Sequence, residues 1–188
     1  MENRVGFWPR VGAYVLDLAA VWVIGIALQR PLAVVFSGAV AAILAEAAAR
    51  PDAEQMRPFL EWMARLGVAI TLIAPFYALF EALRGWSPGK LVMRLRIATE
   101  TGQKAPLASL FIRFAIKGAA SMLALVALVA NIKGLNVVAQ AAGWATSVGC
   151  LLVLTKSRMA LHDRIAGTAV WRKDDVVVAP LPAGGVAS

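Results

Sequence analysis

The sequence predicts an all-α membrane protein: a bundle of four transmembrane helices, with an extra non-spanning helical segment after the first span and a short cytoplasmic hairpin between spans two and three. Three observations carry this. Of 188 residues, 60% are hydrophobic and 16% charged, with a mean hydropathy of +0.71. A water-soluble domain of this size needs more polar surface than that. The apolar residues come in runs of about 18 or more with almost no charge, enough to cross a hydrocarbon core about 30 Å thick. The basic residues collect in some of the segments between runs and avoid others.

The first run, about 11–28, ends at Gln29, Arg30 and Pro31. This run follows a basic amino end, carries Asp17 and lacks a cleavage pattern, so it is expected to stay as a span and not leave as a signal peptide. An Ala-rich stretch over 33–48 breaks at Arg50, Pro51 and Asp52 and leads into a mixed segment with Glu54, Arg57, Glu61 and Trp62. The remaining spans are read at about 66–83, 110–130 and 135–155, the last two joined by Asn131, Ile132, Lys133 and Gly134. Residues 1–179 form a single expected domain; 180–188 are Pro/Gly/Ala-rich and read as a disordered tail.

Charge decides whether 33–48 is a fifth span. Four spans with a cytoplasmic amino end put 14 of 19 basic residues inside; five spans from the same start put 6 inside. Five spans with the amino end outside put 13 inside but carry Arg4 and Arg10 across the bilayer. The positive-inside rule favours four, so 33–63 reads as a helical excursion on the far side and both termini as cytoplasmic. The net charge of +8 then reflects loops that face anionic headgroups, and nucleic acid is not expected as a partner. Within the last run, Ala139, Gly143 and Ser147 recur every four residues, a small-residue stripe suited to close helix packing.

Ionisable residues inside the spans carry the functional question. Asp17 lies roughly 9 Å below the cytoplasmic boundary at about 1.5 Å per residue. A mid-membrane aspartate costs about 2.5–3.5 kcal/mol, so it is expected to face the bundle interior and find a partner. Arg10 lies seven residues earlier on nearly the same face; Lys117 falls at a matching depth, with Arg113 four residues before it, and Glu81 is level with them. These five are expected to form one buried polar layer. It would either lock helix register through ion pairs or serve as a cation/proton site with Asp17 and Glu81 as exchangeable carboxylates.

In the loop GWSPGKLVMRLRIATETGQKAPL, Ser87, Pro88 and Gly89 read as a turn, and the stretch from Leu91 to Lys104 as a short hairpin at the membrane surface. Gly89 and Lys90 do not make a phosphate loop, because Leu91 stands where a P-loop needs Ser or Thr. His162 and Asp163 could act as an acid/base pair, yet no nucleophile accompanies them. Asp163 is better read as bonding a turn, with Gly167 allowing a bend. With one cysteine (Cys150) and one histidine, neither a metal nor another cofactor is expected, and no enzyme activity.

Three segments together resemble the RDD family of bacterial inner-membrane proteins. They are RVGAYVLD with Arg10 and Asp17; Glu81 and SPGK, followed by LRI and TGQKAPL with Arg113 beyond; and HDRIAGTAV with Asp163. The name-giving Arg and two Asp of the family correspond to Arg10, Asp17 and Asp163. The chain departs from the family at Arg94, where glycine is frequent, and in the long 33–63 segment. The resemblance implies a multi-pass protein of the bacterial inner (plasma) membrane, with ion or small-solute transport as the activity proposed for some members. Two functions are therefore expected to compete. One is cation/proton exchange through the buried Asp/Glu site by an oligomer, since four spans scarcely enclose a path. The other is a non-catalytic accessory or assembly subunit of a larger membrane complex.

Overall fold

A computed structural model describes residues 4–49 and 52–177. The disordered-tail expectation for 180–188 lies outside these residues. Among the described residues four helices are long and apolar enough to cross a membrane. In chain order the helices are α1 (Phe7–Val35), α2 (Ser37–Ala47), α3 (Ala53–Arg84), α4 (Pro88–Val92), α5 (Leu107–Ala130), α6 (Lys133–Cys150) and α7 (Leu161–Ile165). Strands β1 (Leu95–Thr99) and β2 (Thr168–Arg172) lie between them, and a 3-10 turn, Leu151–Leu154, lengthens α6.

The helix of the first span does not stop at Pro31. Helix α1 runs through it to Val35, and Gln29 is buried. In apolar surroundings an uncoiled backbone leaves several polar groups unsatisfied, whereas an internal proline forfeits a single bond, so the helix continues. The helix that carries the second span begins before 66, because it absorbs the mixed segment from Ala53 onward. Glu61 bonds both Arg57 (3.3 Å) and Arg65 (2.8 Å) one turn away, giving those polar turns helical ion pairs. At 32 residues α3 reaches about 48 Å, well beyond a hydrocarbon core. Helix α2, with 11 residues, reaches only about 16 Å.

The long helices pack in the order α1, α3, α5, α6. Helices α1 and α6 close no ring; a fissure separates them, floored by α5. Of the small-residue stripe, Ala139 is buried and Gly143 sits over Ala120 of α5, but Ser147 is exposed and bonds the Gly143 carbonyl of its own helix. The stripe therefore packs along only part of its length.

One end of the bundle is sealed by a small cap. The loop strand takes its main partner from outside the loop: β1 pairs antiparallel with β2, in the register Leu95↔Arg172 to Thr99↔Thr168. Inside the loop only the Ala98↔Lys104 bridge and the Thr99–Gln103 bonds remain. The physical reason is burial. β2 brings Ala169, Val170 and Trp171 beneath the cap, whereas the loop's own returning segment offers Gln103 and Lys104. Val5, Ala13, Leu95, Ile97, Leu110 and Val170 make the core that joins cap to bundle. Arg94, where the family resemblance leads one to expect glycine, has φ 53°, in the left-handed region that suits glycine best.

Candidate functional site

The charged residues meet at the capped end, in one connected network built from α1, α3, α4, α5 and α7. At its edge stands Asp17 on α1. Its Oδ1 accepts from the Tyr77 hydroxyl (2.7 Å) and the Gly89 backbone N–H (2.7 Å), and its Oδ2 from the Ser87 hydroxyl (2.6 Å). Ser87 in turn accepts from Lys90 Nζ at 3.3 Å. Lys90 reaches the second carboxylate, Glu81, at 2.6 Å, and Lys117 donates to the same group at 3.0 Å. Arg113 lies 3.7 Å from Glu81 through Nε and pairs through Nη1 with Asp163. Asp163 then accepts from Arg10 Nη1 at 2.6 Å and from the Ala160 N–H at 3.2 Å.

Arg10 and Asp17 share a helix and stand at opposite ends of this network. The expected pairing of Asp17 with Arg10 or Lys117 is not made. Among the described residues Asp17 has no ion pair, and all its donors are neutral. Local geometry explains the difference. Extended backbone at Ser87, followed by Pro88 in the first turn, starts α4 where the sequence reading put a simple turn. Gly89 then lies directly on α1: a Cβ there would collide with the Ala13 carbonyl and stand 2.7 Å from Asp17 Oδ1. The α4 backbone and the Ser87 hydroxyl reach Asp17 first, and the carboxylate satisfies an N–H that a helix start leaves without a partner. The cations are diverted to Glu81.

Glu81 is buried at 6% exposure amid Lys90, Lys117 and Arg113. One carboxylate facing three cations leaves local positive charge in excess. Burial, reinforced by Lys117 and Arg113 and opposed by Glu81, pulls Lys90 down to about 8. His162 is held neutral: burial and the nearby Arg113 and Lys117 lower it to about 2. Asp163 is fully buried between two arginines, which engage its carboxylate more closely than His162 does at 3.6 Å. Asp163 joins α7 to α1 and α5; the cap itself packs through apolar residues.

Tyr77 and Ser87 were not singled out as partners of Asp17, nor Lys90 as a partner of Glu81. Tyr77 carried a usable signal, being one helical turn before Glu81 on the same face. Arg10, Asp17, Lys90, Arg113 and Lys117 all line the fissure between α1 and α6, whose volume is about 460 Å³. Thr146 and Ser147 face it from α6, and Phe7, Val11 and Leu151 give it apolar walls.

No curated protein and no solved structure matches the chain. The RDD family model matches residues 4–167, a stretch that holds every member of the network just described. On that match, this multi-pass membrane protein belongs to the RDD family.

Proposed function

We propose that the protein transports ions or small solutes, exchanging a small cation for a proton with Asp17 as the group that takes the cation. The observation supporting this is the state of Asp17: a carboxylate on the wall of a fissure, bonded only to neutral groups. Hydroxyls that now donate to it can turn and offer oxygen instead, so Asp17, Tyr77 and Ser87 could form the hard-oxygen set that small cations prefer. Glu81 takes a different part from the one its sequence position implied. Three cations already occupy its surroundings, so it holds them and does not carry an ion.

Lys90 supplies the proton side of the exchange. Its ammonium is one hydroxyl away from Asp17. A cation arriving at Asp17 repels that ammonium, which releases a proton; charge at the site is unchanged, and reprotonation expels the cation. The open order of the helices suits action as an oligomer, a second copy closing the fissure. The cytoplasmic face of a bacterial inner membrane is assigned to the capped end, on the positive-inside balance.

Proteoliposomes of the purified protein, loaded with a pH-sensitive dye and given a Na⁺ or K⁺ gradient, test the reading. Wild type is expected to move protons against the cation, and Asp17→Asn to lose at least tenfold in rate while still assembling. Wild-type liposomes that carry neither ion would overturn it. A second reading, an accessory or assembly subunit of a larger complex, draws on α2. None of its residues is buried, and it packs mainly on α3, with a smaller contact to α1. A fixed partner retained in mild detergent, without flux by the protein alone, would favour that reading.

A further inference from the structure

A second basic site lies away from the network, where the end of α3 meets the start of α5. A groove of about 790 Å³ is lined there by Arg84, Arg96, Lys104, Trp86, Leu83 and Leu107, among others. Three cations share it, and no carboxylate lines it. Among the described residues none of the three makes an ion pair; Arg84 instead lies over the Phe80 ring at 5.3 Å, and Phe80 packs edge-on against Trp86 at 5.5 Å. The first turn of α5 adds no acidic side chain. Two other cations at this end face carboxylates: Arg94 lies against Asp174, and Arg4 against Glu100. An uncompensated cluster of this kind, with Arg84 already braced on an aromatic ring, suits an anion.

We infer that this groove binds the phosphate headgroup of an anionic phospholipid from the leaflet at the capped end. Position selects a lipid over a free phosphate. The groove sits at the ends of two spanning helices, and Leu83 and Leu107, each more than half exposed, flank it where acyl chains would descend. Trp86 supplies an indole at the depth where such rings settle in a bilayer. Each cation near an anionic headgroup contributes about a fivefold preference. The inference does not depend on transport.

The full chain is placed in phosphatidylcholine nanodiscs, phosphatidylglycerol is titrated in, and retained lipid is counted by native mass spectrometry. Wild type is expected to hold phosphatidylglycerol in preference to phosphatidylcholine. Lys104→Gln should weaken that preference about fivefold, and the combined Arg84→Gln, Arg96→Gln and Lys104→Gln variant should abolish it. Lys104 is exposed, so its single variant decides the matter if the combined one does not assemble. Equal retention of the two lipids by wild type, or an unchanged preference in Lys104→Gln, overturns the inference. So does displacement of the lipid by glycerol phosphate at equal concentration, which would mark a site for free phosphate.

Discussion

Asp17 and Glu81 lie in the same layer of the same bundle, yet the structure treats them oppositely. Glu81 is buried among three cations and pairs with all of them. Asp17 borders the fissure and is held by two hydroxyls and one backbone N–H. Depth in the membrane and residue type do not separate the two. What separates them is the backbone of α4, which approaches α1 closely enough to occupy Asp17 and so sends Lys90 to Glu81. The contrast teaches that an intramembrane carboxylate is assigned by its donors: charged donors fix it, neutral donors leave it able to change ligand.

The largest effect should come from breaking the cationic side of this contrast. Glu81→Gln leaves the buried Lys90 without its carboxylate and takes one partner from Lys117 and Arg113, and removing one partner of a buried pair costs about 3–5 kcal/mol. Thermal unfolding in mild detergent should show a large drop or failure to assemble, with partial rescue when Lys90→Met removes one of the cations. Asp17→Asn, which keeps a side chain able to accept from its neutral donors, is expected to cost only about 1–2 kcal/mol. Equal losses in the two variants would erase the distinction between the sites.

Gly89→Ala tests the cause of the contrast. The added methyl group meets the Ala13 carbonyl and the Asp17 carboxylate, so α4 must retreat from α1. Overpacking of this kind costs about 1–3 kcal/mol, and here it also separates Asp17 from the Gly89 N–H and Ser87. The expected result is a moderate loss of thermal stability and a loss of cation-dependent flux like that of Asp17→Asn. A variant with wild-type flux would show that the close contact is incidental.

Much of this was legible in the residues, and what was not has identifiable physical reasons. The four long apolar helices follow from run length and hydropathy, which the bilayer imposes directly. Arg10, Asp17, Glu81, Arg113 and Lys117 could be placed near one level because helical rise converts sequence distance into depth. Their partners could not. Pairing depends on which side chain arrives first, and that was decided by Gly89, whose missing Cβ admits α4 to α1. The partner of β1 was equally hidden, since it comes from β2, more than sixty residues later, and is chosen by the apolar area it buries.

A smaller effect should appear in the pH dependence of transport. Lys90, drawn down to about 8 by burial with Lys117 and Arg113, is largely charged at pH 7 and largely neutral at pH 9. Its charge opposes a cation at Asp17, so apparent cation affinity should rise with pH. For one coupled proton the gain is roughly fivefold from pH 7 to 8 and under twofold from 8 to 9. Lys90→Gln should flatten the profile at its high-pH level. A profile falling through this range would remove Lys90 from the exchange.

The smallest effect concerns the cap. Arg94 holds a left-handed backbone at φ 53°, which costs a residue with a Cβ about 1–2 kcal/mol and a glycine little. Against this, glycine loses about 0.5–1 kcal/mol through its freer unfolded chain, and the exposed contact from Arg94 to Asp174 disappears. Arg94→Gly is therefore expected to raise the unfolding temperature slightly, while Arg94→Ala, which keeps the Cβ and removes the charge, should not. The two variants separate backbone strain from the ion pair. A gain from alanine equal to that from glycine would place the cost of Arg94 in its charge, within a cap already rich in cations.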